Sequence, residues 1–308
     1  MKLKYYLNFG LIFLILILLP LNYSSQPKFD QLQPLVRPVF FQFSPISDYP
    51  VNFDHSNPPY LSARSAVVFD LNSKAFIYSK NPDLKLLPAS LTKIMTAIIV
   101  LENYDLNQVI VVEPPLPIGQ TIGLKVNEKL TVESLLYGLM VKSGNDAAVV
   151  LARNFPSGGL NSFIKAMNQK AEVLNLTNTQ FTNPTGLDDF GHYTTARDLV
   201  ILAAYAMDNP VFRRLVSTIG ITITDIDQTQ THELENINEL LGKIAGMSGI
   251  KTGWTELAGE CLVTYTKRDN HSIITVVLGS DDRFGETTRL IDWVFAHHQW
   301  QSPSPTIH

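Results

Sequence analysis

Only one cysteine, Cys261, stands in the 308 residues, so an internal disulfide framework and any multi-cysteine metal site are excluded. Neither sign of charge dominates: 24 Lys+Arg against 28 Asp+Glu leave a net charge of −4. No basic run is present to neutralise a phosphate backbone, which argues against nucleic acid as a partner. Glycine (17) and proline (18) are too sparse for a collagen-like or broadly disordered chain. Paired metal-ligand spacing is also lacking. His232-Glu233 is not followed by the second histidine of a helical zinc site, and His297-His298 has no recognisable partner, so no metal and no cofactor is assigned. What remains is a chain that is 45% hydrophobic, long enough for one large domain or two small ones, with no internal repeat.

Lys2 and Lys4 precede an uncharged run, Tyr5 to Leu21, whose centre is all Leu, Ile and Phe. This pattern is an export element. As a helix it spans about 25 Å against the roughly 30 Å of a hydrocarbon core, and no clear small-x-small cleavage site follows, so residues 1–21 are read as a signal or an anchor with the remainder exported. Residues 22–60 contain seven prolines and no glycine, a composition for extended chain. They are expected to be an extracytoplasmic spacer, with eight aromatics that imply partial contact with a domain surface. A polar tail, 301–308, is expected to be disordered.

Between these ends lies one expected domain, 61–300. Ala66–Leu71 and Ala75–Tyr78 flank Asn72-Ser73-Lys74 and predict a hairpin. Apolar residues then recur at helical spacing in Leu91-Ile94-Met95-Ile98, Leu135-Leu136-Leu139-Met140 and Leu199-Leu202-Ala203-Ala206. Cys261–Tyr265 and Ile273–Val277 flank an Asp269-Asn270 turn, and a helix around Leu290–Phe295 closes the domain. Strands at both ends of the chain should join one antiparallel sheet (about 61–87 and 241–300), with a mainly helical insertion over about 88–240.

Three stretches carry chemistry. Pro88-Ala89-Ser90 predicts a helix start, with Lys93 one turn on and partly desolvated among Ile94, Met95 and Ile98, where its amine reaches the Ser90 hydroxyl. The same residues also fit a capping serine and an ordinary surface lysine. Lys142-Ser143-Gly144-Asn145-Asp146 joins two helices; Gly144 ends one and Asn145 or Asp146 caps the next, while the turn presents the Ser143 hydroxyl and the Asn145 amide outward. Ser248-Gly249-Ile250-Lys251-Thr252-Gly253-Trp254 is a glycine-flanked strand that offers a cation and a hydroxyl to an anion, or a bulged edge strand with a solvated lysine. Cys261, in mid-strand, reads as a small buried hydrophobe.

Ser90-x-x-Lys93, Ser143-Gly-Asn145 and Lys251-Thr-Gly253, in that order, resemble the three motifs of penicillin-binding serine enzymes. The flanking text (Pro88–Ala97, Ser143–Ala148, Asn183-Pro184-Thr185-Gly186-Leu187, Gly249–Thr255 and Asp282-Arg283-Phe284) is similar to serine D-alanyl-D-alanine carboxypeptidases, the low-molecular-mass penicillin-binding proteins, over about residues 60–298. The resemblance implies an α/β (α+β type) β-lactamase-like, transpeptidase-like fold: an antiparallel sheet flanked by helices plus an inserted helical subdomain. It also implies peptidoglycan stem peptides as substrate, β-lactams as inhibitors and membrane contact through the N-terminal segment. Residue by residue, it makes Ser90 the nucleophile, Lys93 its base and Ser143 the proton carrier. Asn145 would hold substrate or Lys93, Lys251 and Thr252 would grip a terminal carboxylate, and the backbone N–H groups of Ser90 and Trp254, beside Gly253, would form the oxyanion site.

A β-lactamase is disfavoured because Ala171-Glu172-Val173-Leu174-Asn175 has alanine where the deacylating glutamate of a Glu-x-x-Leu-Asn loop would fall, and it reads as the end of a helix. A D,D-endopeptidase uses the same residues and stays open, as does a non-hydrolytic receptor for penicillin or peptidoglycan. His192 and Arg283 lie in family-like segments with no role assigned.

Overall fold

The computed structural model describes residues 48–303, apart from Ile118 and Ser157. The expected export element and most of the expected spacer lie outside the described residues. In chain order the elements are β1 (Tyr49–Asn52), β2 (Ser65–Asp70), β3 (Ala75–Lys80), a 3-10 turn (Ala89–Thr92), α1 (Lys93–Asn103), β4 (Val109–Val111), β5 (Lys129–Thr131), α2 (Val132–Met140), α3 (Asn145–Arg153) and α4 (Gly159–Val173). There follow α5 (Ala196–Asp208), α6 (Pro210–Ser217), β6 (Gly220–Thr224), β7 (Thr231–Glu235), β8 (Met247–Thr255), β9 (Gly259–Arg268), β10 (His271–Ser280), α7 (Arg283–His297) and β11 (His298–Gln301).

The predicted antiparallel sheet has the order β3-β2-β10-β9-β8, with β2 beside β10. Its hairpin turn at Asp269-Asn270 places both residues at positive φ (47° and 69°), as a two-residue turn matched to strand twist requires. Central strands read as continuous apolar runs because both faces are covered. Val67, Val263, Ile274 and Val276 face the larger core, while Ala66, Val68, Leu262, Ile273 and Val277 face a smaller one completed by Leu290, Ile291 and Val294 of α7. Helix α1 runs through the larger core, and every residue from Lys93 to Val100 is buried. A lysine there is expensive to charge.

Three features differ from expectation. The stretch read as spacer contains β1, whose Tyr49 pairs with Gln301 and Asn52 with His298, so chain entry and exit are tied together. Four residues carry no pattern strong enough to announce a strand whose partner lies 250 positions away in sequence. The helical insertion carries two hairpins, β4–β5 and β6–β7. Asn145 opens α3 without capping it; Gly144 is the N-cap, and the Asn145 side chain is used elsewhere. Among the described residues no helix is long and apolar enough to cross a membrane.

Candidate active site

The nucleophile candidate sits in the 3-10 turn. In that geometry residues three apart eclipse one another, which stacks Lys93 over Ser90. Lys93 Nζ lies 2.9 Å from Ser90 Oγ, 2.8 Å from Asn145 Oδ1 and 2.7 Å from the Thr185 carbonyl oxygen. The two carbonyl oxygens only accept. A neutral amine therefore spends its two N–H groups on Asn145 and Thr185 and turns its lone pair to the Ser90 hydroxyl. Burial favours that form, pulling the Lys93 ammonium down to about 7 against the opposing charge of Asp146.

The turn is held in an unusual backbone state. Ala89 has φ +47°, and Thr92 Oγ1 donates to the Ala89 carbonyl at 2.9 Å. His192, 1% exposed, supports it: Nδ1 accepts from the Thr182 N–H at 3.0 Å, which leaves Nε2 to donate to Thr92 Oγ1 at 2.7 Å. His192 thus braces the turn that carries Ser90 from inside and is not among the residues that line the cleft.

The second motif arrives between α2 and α3. Ser143 takes φ +62°, and its buried Oγ has no hydrogen-bond partner within the protein. The neighbouring Asp146 carboxylate collects the backbone N–H groups of Ile122, Gly123 and Leu124 at 3.0–3.1 Å, fixing the loop beside the cleft.

The third motif is β8, the sheet edge. A methyl on Gly253 would lie 3.0 Å from the Ser90 backbone nitrogen, so glycine lets the strand pass alongside the Ser90 amide. Thr252 Oγ1 is buried and also without a partner. Lys251 is buried, not solvated: its Nζ donates to the Thr252 carbonyl at 3.0 Å, and burial together with the charges of Lys93 and Arg283 holds its ammonium well below the usual range. Arg283, first residue of α7, reaches over to donate from Nη1 to the Gly253 carbonyl at 3.0 Å.

Ser90, Ser143, Asn145, Thr252, Gly253, Trp254 and Arg283 line one cleft of about 610 Å³, with Lys93 and Lys251 buried beneath it. The three motifs do converge. Sequence reasoning missed the clamp formed by Asn183–Gly186. Pro184 and Thr185 offer their carbonyls to Thr96 Oγ1 and Lys93 Nζ, and Asn183 Oδ1 gathers the N–H groups of Thr185 and Gly186. The turn-rich string was visible, but carbonyl direction is not a property of residue type. Glu172 is exposed at the end of α4 and is not among the residues that line the cleft.

A serine hydroxyl facing a desolvated lysine, beneath an open cleft at the junction of a sheet and a helical lobe, is the layout of the Ser-Lys class of active sites. The family profile for D-alanyl-D-alanine carboxypeptidase, peptidase family S11, matches residues 52–282, and the chain belongs to that family. It is 34% identical over 247 residues to D-alanyl-D-alanine carboxypeptidase DacF of Bacillus subtilis (strain 168), a match covering 77% of this chain and 63% of that protein. It is 35% identical over 246 residues to the D-alanyl-D-alanine endopeptidase of Pseudomonas aeruginosa, covering 76% and 77%. The Streptomyces K15 DD-transpeptidase structure superposes with a TM-score of 0.72 at 32% identity, covering 78% of this chain and 100% of that one. Penicillin-binding protein D2 of Listeria monocytogenes in its ampicillin-bound form gives 0.69 at 29%, covering 78% and 100%. The matched region spans less than two thirds of the Bacillus protein.

Proposed function

We propose that the chain is a serine D,D-carboxypeptidase that removes the terminal D-alanine from peptidoglycan stem peptides. The observation that carries this reading is the lysine amine 2.9 Å from the Ser90 hydroxyl, oriented by two carbonyls that leave its lone pair for the hydroxyl proton. Ser90 Oγ attacks the carbonyl between the two D-alanines as Lys93 takes its proton. Charge that develops on the carbonyl oxygen meets the Ser90 and Trp254 N–H groups, one from the turn and one from β8. The C–N bond then breaks, and the leaving amine takes a proton through the partnerless Ser143 hydroxyl. Water attacks the Ser90 ester and frees the shortened peptide.

The carboxylate of the departing residue is read by the Thr252 hydroxyl and the Arg283 guanidinium, with the Lys251 amine buried beneath them. This cationic end selects chains that finish in a free carboxylate. β-Lactams should acylate Ser90, in keeping with the ampicillin-bound form of the Listeria protein. The enzyme would act outside the cytoplasm, exported or anchored through residues 1–21.

A second reading, D,D-endopeptidase on cross-links, is favoured by similarity to the Pseudomonas endopeptidase and, at 34% identity, to the D-alanyl-D-alanine endopeptidase of Escherichia coli. The deciding experiment offers the purified chain a pentapeptide ending in D-Ala-D-Ala and, separately, a cross-linked dimer. Free D-alanine from the first, abolished in Ser90→Ala, establishes the carboxypeptidase; cleavage of the dimer alone establishes the endopeptidase. Retained D-alanine with a stable penicillin adduct would overturn both.

A further inference from the structure

On the far side of the cleft wall lies a buried pair that the mechanism does not use. His232, in β7, is 9% exposed and Glu128, just ahead of β5, is 5% exposed. His232 Nε2 stands 2.6 Å from Glu128 Oε1, and Nδ1 stands 3.0 Å from the Ile122 carbonyl oxygen. The other Glu128 oxygen accepts the Lys125 N–H at 2.8 Å. One imidazole therefore bridges both ends of the 122–128 loop.

That loop is the wall behind the second motif. The Ile122 peptide is gripped on both sides, its N–H by Asp146 and its carbonyl by His232. Two residues earlier, the Gln120 carbonyl accepts the Asn145 N–H at 2.7 Å, and Gln120 itself lines the cleft.

Proton counting decides the state of the pair. The Ile122 carbonyl only accepts, so Nδ1 must carry a hydrogen. A neutral ring with hydrogen on Nδ1 would then point its Nε2 lone pair at a carboxylate oxygen, two acceptors with no proton between them. The observed contacts need one more proton, as imidazolium against carboxylate or imidazole against carboxylic acid. The other charged groups on the surrounding elements have their own partners or face solvent. Asp146 holds the loop amides, Lys129 pairs with Asp227 at 2.9 Å, Asp225 holds Thr229 and Gln230, Arg214 pairs with Glu133, and Lys125, Glu233 and Glu235 are exposed.

We infer that His232 and Glu128 form a hydrogen-bonded clasp that positions the 120–128 wall and, through it, Asn145. Both are positioning residues for the proposed reaction, and the clasp rests on that reading only for its effect on turnover. Glu128→Gln separates a clasp from plain packing. An amide oxygen still accepts from Lys125, and an amide N–H donates to Nε2 of a neutral ring whose Nδ1–H stays on Ile122, so the clasp closes without the extra proton.

Hydrogen exchange of residues 120–128 in the full chain, corrected for intrinsic rates, reads this without substrate. Inactivity on a D-Ala-D-Ala peptide would count against the carboxypeptidase reading and leave this test intact. Glu128→Leu, which leaves Nε2 of His232 without its partner, should lower protection at Ile122–Leu124 about tenfold, as expected for one lost buried hydrogen bond, while Glu128→Gln keeps the wild-type value. His232→Phe should show the same low value, and kcat/KM for D-alanine release should fall in Glu128→Leu and His232→Phe but hold in Glu128→Gln. Wild-type protection in Glu128→Leu or in His232→Phe, or an equal fall in Glu128→Gln, would each overturn the inference.

Discussion

Thr92 Oγ1 and His192 Nε2 meet at 2.7 Å inside the protein, two residues along the chain from the nucleophile candidate. The contact joins the turn that carries Ser90 to the segment that carries Thr185, whose carbonyl orients Lys93. The histidine is neutral in this arrangement, since Nδ1 accepts from the Thr182 N–H.

Acid stability should therefore report on His192. Burial lowers its imidazolium from the ordinary 6.5 to about 4. The unfolded chain takes up a proton near 6.5 and the folded chain resists until about 4, so stability is full above 6.5 and falls as pH drops through that window. The loss approaches about 3 kcal/mol once the folded state protonates. In chemical denaturation between about pH 7 and pH 4, His192→Asn should lower stability at neutral pH and flatten the acid slope. An unchanged slope would remove His192 from this role.

Lys93 sets the other pH limit. In the proposed reaction only the neutral amine can take the Ser90 proton, and its ammonium is held at about 7, so acylation should rise with pH through about 7 and then level off. Lys93→Arg, a cation that keeps its proton throughout, should cut the acylation rate by about 10²–10⁴-fold and abolish that rise. Stopped-flow acylation by a chromogenic β-lactam measures both. A rise centred elsewhere, or a midpoint unmoved in the variant, would assign the proton to another group.

Gly186 is a backbone requirement. Its φ is +85°, and an added methyl would fall 1.8 Å from the Ala89 carbonyl oxygen, where neighbouring backbone leaves no room. Gly186→Ala should cost well over about 1 kcal/mol in thermal unfolding and reduce acylation together with stability, because the displaced group belongs to the nucleophile turn. Wild-type melting would show that the turn yields more easily than the contact implies.

Much of the fold was legible because it follows from local pattern. Ala66–Leu71 and Ala75–Tyr78 became β2 and β3, the Asp269-Asn270 turn joined β9 to β10, and the helical periodicities became α1, α2 and α5. Strand β1 was hidden because its pairing with β11 is non-local. Hairpin β6–β7 was hidden behind its alternating Ile-Thr and His-Glu-Leu-Glu text, which carries a period of two inside a region read as mainly helical. His192 and Arg283 had no assigned role, since whether such a side chain turns inward to Thr92 or across to Gly253 depends on elements about 100 and 30 residues away.

Residue order and spacing by themselves determined the three motifs, the antiparallel sheet interrupted by a helical insertion, and that Lys93 stands within reach of Ser90, because a three-residue offset at a helix start is local geometry. Only tertiary structure decided that Lys93 and Lys251 are buried, that Thr185 and Asn145 orient the amine, and that Ser143 and Thr252 hold partnerless hydroxyls beside it. Burial and carbonyl direction arise from chain segments brought together across the molecule. Those two quantities suit a lysine beside a serine to the base's part in the proposed reaction.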